Sequence, residues 1–120
     1  MKLVTVVLRS SGRPQLRDAL QSLCQQDHTL LEVLVVDVTG DTRPALPDLP
    51  WRAGHSARMI GSDRPLSRPQ AANVGLAAAS GEWLCFLDED DHYDADFVSS
   101  MLRHARQQPG RLLLYGHSRE

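Results

Sequence analysis

Hydrophobic and polar positions alternate along this chain in blocks that predict strands separated by helices. The opening run, LVTVVL, is continuously apolar and rich in β-branched residues, which is typical of a strand buried on both faces of a parallel sheet. Further apolar runs, EVLVV, RMI, EWLCFL and RLLLYG, are bounded by turn-forming residues. We therefore predict strands over residues 3–8, 32–36, 58–60, 82–87 and 111–116.

The segments between these runs carry apolar residues at helical spacing. They predict helices over residues 14–26, 69–80 and 97–105. Pro14 opens the first helix at a first-turn position, where the missing N–H has no intrahelical partner to lose. The proline-rich segment 43–57 cannot sustain a helix and predicts a loop.

This order of elements predicts an α/β fold, a three-layer, Rossmann-like and mostly parallel sheet with helices on both faces. The chain has 120 residues, of which 42% are hydrophobic, and this suffices for one packed core. We predict a single domain over residues 1–120. In such sheets ligands bind outside the carboxyl ends of the strands, where the strand order reverses.

Acidic side chains follow two of the predicted strands. Asp37 closes the second strand, and the run Asp88 to Asp91 closes the fourth. If both strands flank the first, these carboxylates converge beside Arg9 and Ser10. Adjacent carboxylates repel one another, which favours a divalent cation there, and oxygen ligands suit Mg²⁺ or Mn²⁺. The alternative is a solvated acidic loop at the amino end of the following helix.

One calcium-binding motif and two phosphate-binding motifs are excluded. The loop from Asp88 is not an EF-hand, because Tyr93 and Ser99 stand where a Gly and a Glu are needed. Neither a P-loop nor a dinucleotide-binding glycine fingerprint is present. The candidates for holding phosphate are then Arg9, Arg13, Arg64 and Arg68, and the alternative for each is a surface charge. Of these, Arg9 and Arg68 lie in segments that border the predicted crevice. His92 either reaches a metal or phosphate there or is an exposed first-turn residue.

Composition limits which binding partners and which cellular compartment we expect for this protein. The net charge of -2 gives no basic excess of the kind that nucleic-acid binding needs. Cys24 and Cys85 lie in apolar segments without further ligands at metal spacing, and we expect two buried, reduced thiols. The opening apolar run is too short for a signal peptide, and no run suits a membrane span. We expect a cytoplasmic protein, free or held at the inner face of a membrane through parts outside this chain.

Three segments in order carry a resemblance to a known family. TVVLRSSGRP resembles an opening strand with a loop ending in Arg-Pro, and LEVLVVDVTGDT resembles a strand ending in VVD. RPQAANVGLAAASGEWLCFLDEDD resembles an Ala-x-Asn-x-Gly helix followed by an Asp-x-Asp strand. With these segments the chain is similar to the N-terminal, nucleotide-sugar-binding half of family-2 inverting glycosyltransferases of the GT-A fold.

The resemblance implies roles for the residues at the second and first strands. Asp37 would hydrogen-bond the donor's base, in this family most often uracil of a UDP-sugar. The backbone near Arg9 and Ser10 would line the base and ribose. Val38 stands where many members carry a second Asp, which changes the ribose and base contacts of that loop.

The resemblance also implies the metal and diphosphate sites. Asp88 would contact ribose or metal-bound water, Asp90 would bind Mn²⁺ or Mg²⁺ directly, and Asp91 would support the ion from further away. Arg68 and Asn73 match positions flanking the diphosphate and sugar. We expect a metal-dependent glycosyltransferase domain that is truncated, and inactive alone, because the family's acceptor pocket and catalytic base come from a later segment. No catalytic residue is assigned, and the acceptor is open.

Two other functions remain alternatives. The fold also suits a non-catalytic binding or interaction module. A phosphorylatable receiver domain is disfavoured, because Arg9-Ser10-Ser11 stands where its acid pair would follow the first strand, and the only lysine is Lys2. An uncovered edge at the last predicted strand would favour a homodimer.

Overall fold

The computed structural model of the protein describes residues 2–40, 46–90, 92–106 and 113–115. Strands and helices follow one another along these residues in the order that the sequence predicts. In chain order they are β1 (Val4–Ser10), α1 (Gln15–Cys24), β2 (Leu31–Asp37), β3 (His55–Gly61), α2 (Arg68–Ala78), β4 (Trp83–Asp88), α3 (Phe97–Arg106) and β5 (Leu113–Tyr115).

The strands form one parallel sheet with β1 at its centre. The strand order is β3-β2-β1-β4-β5, and every neighbouring pair is parallel. The acidic residues were expected to converge if the second and fourth strands flank the first. They do: β2 and β4 both flank β1, and their carboxyl ends meet at one edge. The prediction of a Rossmann-like, mostly parallel sheet is confirmed.

Helices cover both faces of the sheet, which gives three layers. On one face, Leu20 and Leu23 of α1 and Leu102 of α3 join a core cluster with inward-facing residues of β1, β2 and β4. On the other face, Ala71 of α2 packs with Val7 and a residue of β2, Val36. Burying each large aliphatic side chain contributes about 1.5–3 kcal/mol.

Tertiary pairing explains where the observed elements differ from the predicted ones. β3 begins at His55, inside the segment predicted as a loop, because it pairs residue by residue with β2 from Leu31 onward. Only the central part of that strand is apolar, so its polar beginning gave no pattern. β1 continues through Ser10 rather than ending at residue 8, since its last residues pair with Asp37 and Asp88. Residues 41–45 of the predicted loop lie outside the described part.

Side chains define the beginnings of the second and third helices. Ser67 accepts a hydrogen bond from the Gln70 N–H at 3.3 Å, and Gln70 accepts one from the Ser67 N–H at 2.8 Å. This capping box places Arg68 in the first turn of α2. At α3, the buried Gln26 accepts a hydrogen bond from the Val98 N–H at 2.9 Å. Within the described ranges, no helix combines the length and apolar character that a membrane crossing requires.

Candidate functional site

The strand register brings the predicted site residues to one edge of the sheet. Arg9 of β1 lies opposite Asp88 of β4, and Ser10 lies opposite Asp37 of β2. These pairs stand at the carboxyl ends of the three central strands, where the sequence placed the crevice. The Arg9 Nη2 is 3.5 Å from the Asp88 Oδ1, with both side chains partly exposed.

A cleft of about 350 Å³ opens at this edge, a size that is ordinary for a small-molecule site. Its walls combine cationic and anionic side chains with one apolar residue. The lining residues are Arg9, Ser11, Arg13, Val38, Arg68, Asp88, Glu89 and Asp90. Arginines suit an anionic group such as phosphate, and carboxylates suit a cation, so the cleft fits a ligand that carries both.

Not every predicted site residue lines this cleft. Arg9, Arg68, Asp88 and Asp90 do, as does Arg13 among the phosphate candidates. Arg64 and His92 are exposed outside the lining.

Three further predicted residues lie behind or beside the cleft. Ser10 and Asp37 are buried, 2% and 4% exposed, at the ends of β1 and β2. Asn73 is exposed on α2 and is not part of the lining. Asp91 lies outside the described residues.

Asp37 is held by the turn that follows β2. Its Oδ1 accepts hydrogen bonds from the Thr39 N–H at 3.2 Å and from the Thr39 hydroxyl at 2.8 Å. The Val38 N–H donates to the Ser10 carbonyl at 2.9 Å, and the Val38 carbonyl accepts from the Leu66 N–H at 3.0 Å. The carboxylate therefore has a fixed orientation, and both backbone groups of Val38 are engaged while its half-buried side chain faces the cleft.

Glu89 is a residue that the sequence did not single out. Its side chain is only 6% exposed, although both neighbours in the acidic run are more accessible. The Ser10 hydroxyl donates to its Oε2 at 2.7 Å, and the Ser11 N–H and hydroxyl both donate to its Oε1 at 2.8 Å. Glu89 thereby ties the end of β4 to the loop after β1. Its position at the centre of DED was the only sequence signal, and it does not distinguish an inward carboxylate from an outward one.

The acidic side chains of the cleft provide some, but not all, of the ligands that a hard divalent cation needs. Asp88 and Asp90 line the cleft, and Mg²⁺ is commonly held by one or two carboxylates together with substrate phosphates. Groups of three or more His, Cys, Asp or Glu side chains placed to hold a metal are absent from the described ranges. A metal at this edge would therefore need ligand oxygens from a bound molecule, from water or from residues such as Asp91.

Solved structures with the same fold define the class of protein. The chain is similar to S. aureus TarS 1-349, with a TM-score of 0.66 at 19% sequence identity, over 88% of this chain and 32% of that one. The same protein in complex with UDP gives a TM-score of 0.62 at 20% identity, over 89% and 32% of the two chains. The fold is therefore the GT-A type of glycosyltransferases.

Sequence comparison gives the family. The model of glycosyl transferase family 2 matches residues 3–116, and the chain belongs to this family. It is 35% identical over 92 residues to the succinoglycan biosynthesis protein ExoO of Rhizobium meliloti (strain 1021), over 72% of this chain and 25% of that protein. An uncharacterized glycosyltransferase of Haemophilus influenzae is 27% identical over 96 residues, or 80% and 32% of the two chains. The chain thus spans about a quarter to a third of these relatives.

Proposed function

We propose that this chain is the donor-binding part of a glycosyltransferase, which binds a nucleoside-diphosphate sugar together with Mg²⁺ or Mn²⁺ for transfer with inversion. The observation that carries this proposal is the cleft at the carboxyl ends of β1, β2 and β4, where three arginines and three carboxylates meet. A diphosphate bound with a divalent cation presents the complementary pair of charges. Family membership supports the reaction class.

The nucleoside end of the donor is assigned to the β1 and β2 side of the cleft. Asp37, fixed by Thr39, accepts a hydrogen bond from the base, and Val38 offers the apolar surface of the lining to the base or ribose. The backbone near Arg9 and Ser10 completes this end. A UDP-sugar is the preferred donor, since the similar TarS structures include complexes with UDP and with UDP-GlcNAc.

The diphosphate end is assigned to the β4 and α2 side. Asp90 binds the cation, Asp88 contacts ribose or metal-bound water, and Asp91 supports them. Arg68, in the first turn of α2, faces the phosphates, and Asn73 on the same helix contacts the sugar side. When bound, the cation would neutralise charge on the departing nucleoside diphosphate. No residue of this chain is assigned as the base that deprotonates the acceptor.

Calorimetric titration of UDP in the presence of Mn²⁺, repeated with a chelator, tests this function. We expect metal-dependent binding that is lost in Asp90→Ala and in Asp37→Ala. Asp48→Asn is the matched control, because Asp48 is exposed and does not line the cleft. Absence of UDP binding by the folded wild-type protein, with or without metal, would refute the donor site.

A binding module without transfer activity is the second candidate. The charged lining of the cleft supports it, because these side chains suit binding of an anion together with a cation, and no residue of the described ranges is assigned as the base for the acceptor. Release of free sugar from a UDP-sugar, followed over hours, separates the two. UDP-sugar binding without any hydrolysis or transfer by the chain assigns it as a binding unit, whereas turnover assigns catalysis to these residues.

The edge of the sheet offers a site for self-association. Among the described strands β5, like β3 at the opposite edge, has a neighbour on one side only, and such an edge strand can pair with a second copy. A homodimer is therefore proposed as the partner of this chain. Sedimentation of a monomer across a wide concentration range would refute it.

A further inference from the structure

The loop that follows β1 already holds an anion of the protein itself. Residues 10–12 surround the Glu89 carboxylate, to which Ser10 donates one hydrogen bond and Ser11 donates two. The Gly12 N–H is also engaged, since it donates to the Ser10 hydroxyl oxygen at 3.1 Å. Gly12 has a φ of 82°, which lets the loop curl around the carboxylate. The N–H and hydroxyl donors of this loop are thus directed to Glu89 or, for the Gly12 N–H, to the Ser10 hydroxyl that itself donates to Glu89.

This occupancy matters because the loop stands where many doubly wound folds bind phosphate. There, backbone N–H groups after the first strand point at the anion. Here a phosphate that sought the Ser11 N–H would have to displace a buried carboxylate that accepts three hydrogen bonds. It would also place two anions against each other, which is unfavourable in a desolvated site. The diphosphate must therefore be bound elsewhere in the cleft.

Two arginines of the lining remain available for it. Arg9 is 3.5 Å from Asp88, whereas Arg13 and Arg68 form no ion pair with any residue of the described ranges. Both line the cleft, and Arg can hold phosphate oxygens through two parallel hydrogen bonds.

We propose that Glu89 is the permanent internal anion of the loop 10–12, which keeps the backbone of that loop from binding phosphate, and that Arg13 joins Arg68, already assigned to the phosphates, in binding the diphosphate of the nucleotide. This inference rests on the proposed function. It also assigns Glu89 as a positioning residue: both of its oxygens accept hydrogen bonds from the loop, whereas the exposed Asp90 of the same cleft is assigned to the cation.

Nuclear magnetic resonance of the ¹⁵N-labelled chain tests the assignment with inorganic pyrophosphate and with UDP, each with Mg²⁺. In the wild type we expect saturable shifts of the Arg13 and Arg68 side-chain Nε–H signals. With pyrophosphate, the backbone amides of Ser11 and Gly12 should not titrate. The proposal would be overturned by the opposite pattern, in which the Ser11 and Gly12 amide signals shift as the binding site saturates and the arginine signals do not.

Variants sharpen the comparison. Arg13→Ala and Arg68→Ala should each weaken pyrophosphate binding by about tenfold, as loss of a charge-assisted contact does. Arg103→Ala, an exposed arginine of α3, should leave it unchanged. Glu89→Ala should release the loop, so that the Ser11 amide exchanges faster with solvent and now shifts when phosphate is added. Glu82→Ala is the matched control, since Glu82 is exposed and pairs with Lys2.

The outcomes separate this inference from the proposed function. If UDP fails to bind but pyrophosphate shifts the two arginines and spares the loop, the nucleotide assignment fails and the phosphate subsite stands. If UDP binds and the Ser11 amide follows pyrophosphate in the wild type, the donor site stands and the role of Glu89 is wrong. Should Glu89→Ala not fold, the wild-type titration alone decides.

Discussion

The Tyr93 hydroxyl holds both backbone polar groups of Asp88. It accepts a hydrogen bond from the Asp88 N–H at 3.3 Å and donates one to the Asp88 carbonyl at 3.0 Å. The ring is 2% exposed and packs against Phe97, with their ring centroids 5.0 Å apart. The beginning of the acidic turn is therefore fixed from the core. The partly exposed ion pair between Arg9 and Asp88 contributes less to fixing this turn, because solvent screens it.

Tyr93→Phe should loosen this turn while keeping the ring in the core. Removing the hydroxyl leaves the hydrogen-bonding groups of Asp88 with one partner fewer, and we expect a loss of about 1–3 kcal/mol in the free energy of unfolding. Urea denaturation measures it. An unchanged unfolding midpoint would show that water replaces the hydroxyl at no cost.

Gln26 connects the end of α1 to the loop before α3. Its side-chain amide is fully buried, donates to the Asp94 carbonyl at 2.6 Å and to the Ser22 carbonyl at 3.2 Å, and accepts from the Val98 N–H. Gln26→Leu should remove the acceptor of the buried Val98 N–H, at about 1–3 kcal/mol for a buried donor left unsatisfied.

Hydrogen exchange provides a local readout of that change. The Val98 amide should exchange faster in Gln26→Leu, and the exposed neighbour gives a control, since Gln25→Leu should leave it protected. Equal protection of Val98 in both variants would contradict the capping role of Gln26.

Gly75 allows α2 to lie close to β1. A Cβ at this position would stand 2.4 Å from the Val7 Cγ1, so Gly75→Ala should destabilise the fold by about 1–3 kcal/mol. This outweighs the gain of up to about 1 kcal/mol that Ala brings to a helix interior. Thermal or urea unfolding measures the result.

A second substitution distinguishes crowding from other causes. Adding Val7→Ala to Gly75→Ala removes the clashing methyl groups, so the double variant should lose less stability than the sum of the single losses. Additive losses would show that the close contact is not the origin of the effect.

Burial raises the pKa of the Cys24 thiol above its usual value of 9.0, because desolvation disfavours the thiolate. In the unfolded chain the thiol ionises at its usual pKa, so its contribution to stability is complete below that pKa and is lost as the pH rises toward the folded pKa. The slope is at most about 1.4 kcal/mol per pH unit. Unfolding free energies of the wild type and Cys24→Ala between pH 7 and pH 10.5 should converge as the pH rises. If the two unfolding free energies keep a constant difference over this pH range, the stabilising role of the raised Cys24 pKa is contradicted.

The sequence predicted most of the fold because its signals are local. Apolar runs closed by Arg9, Asp37 and Asp88 marked both the strands and the edge where they meet, and the Ala-x-Asn-x-Gly segment marked α2. The beginning of β3 was not predicted, because this polar edge strand is formed by pairing with β2 and carries no apolar pattern of its own.

The composition of the site was predictable, but the direction of each side chain was not. Four acids in succession indicate a charged turn, whereas only the packed structure decides that Glu89 points inward to Ser10 and Ser11. In the same way, Arg13 lines the cleft and Asn73 does not, although both were candidate site residues in the sequence. Strand register and the approach of helices fix these directions, and both depend on contacts between residues far apart in the chain, which a local pattern of amino acids does not encode.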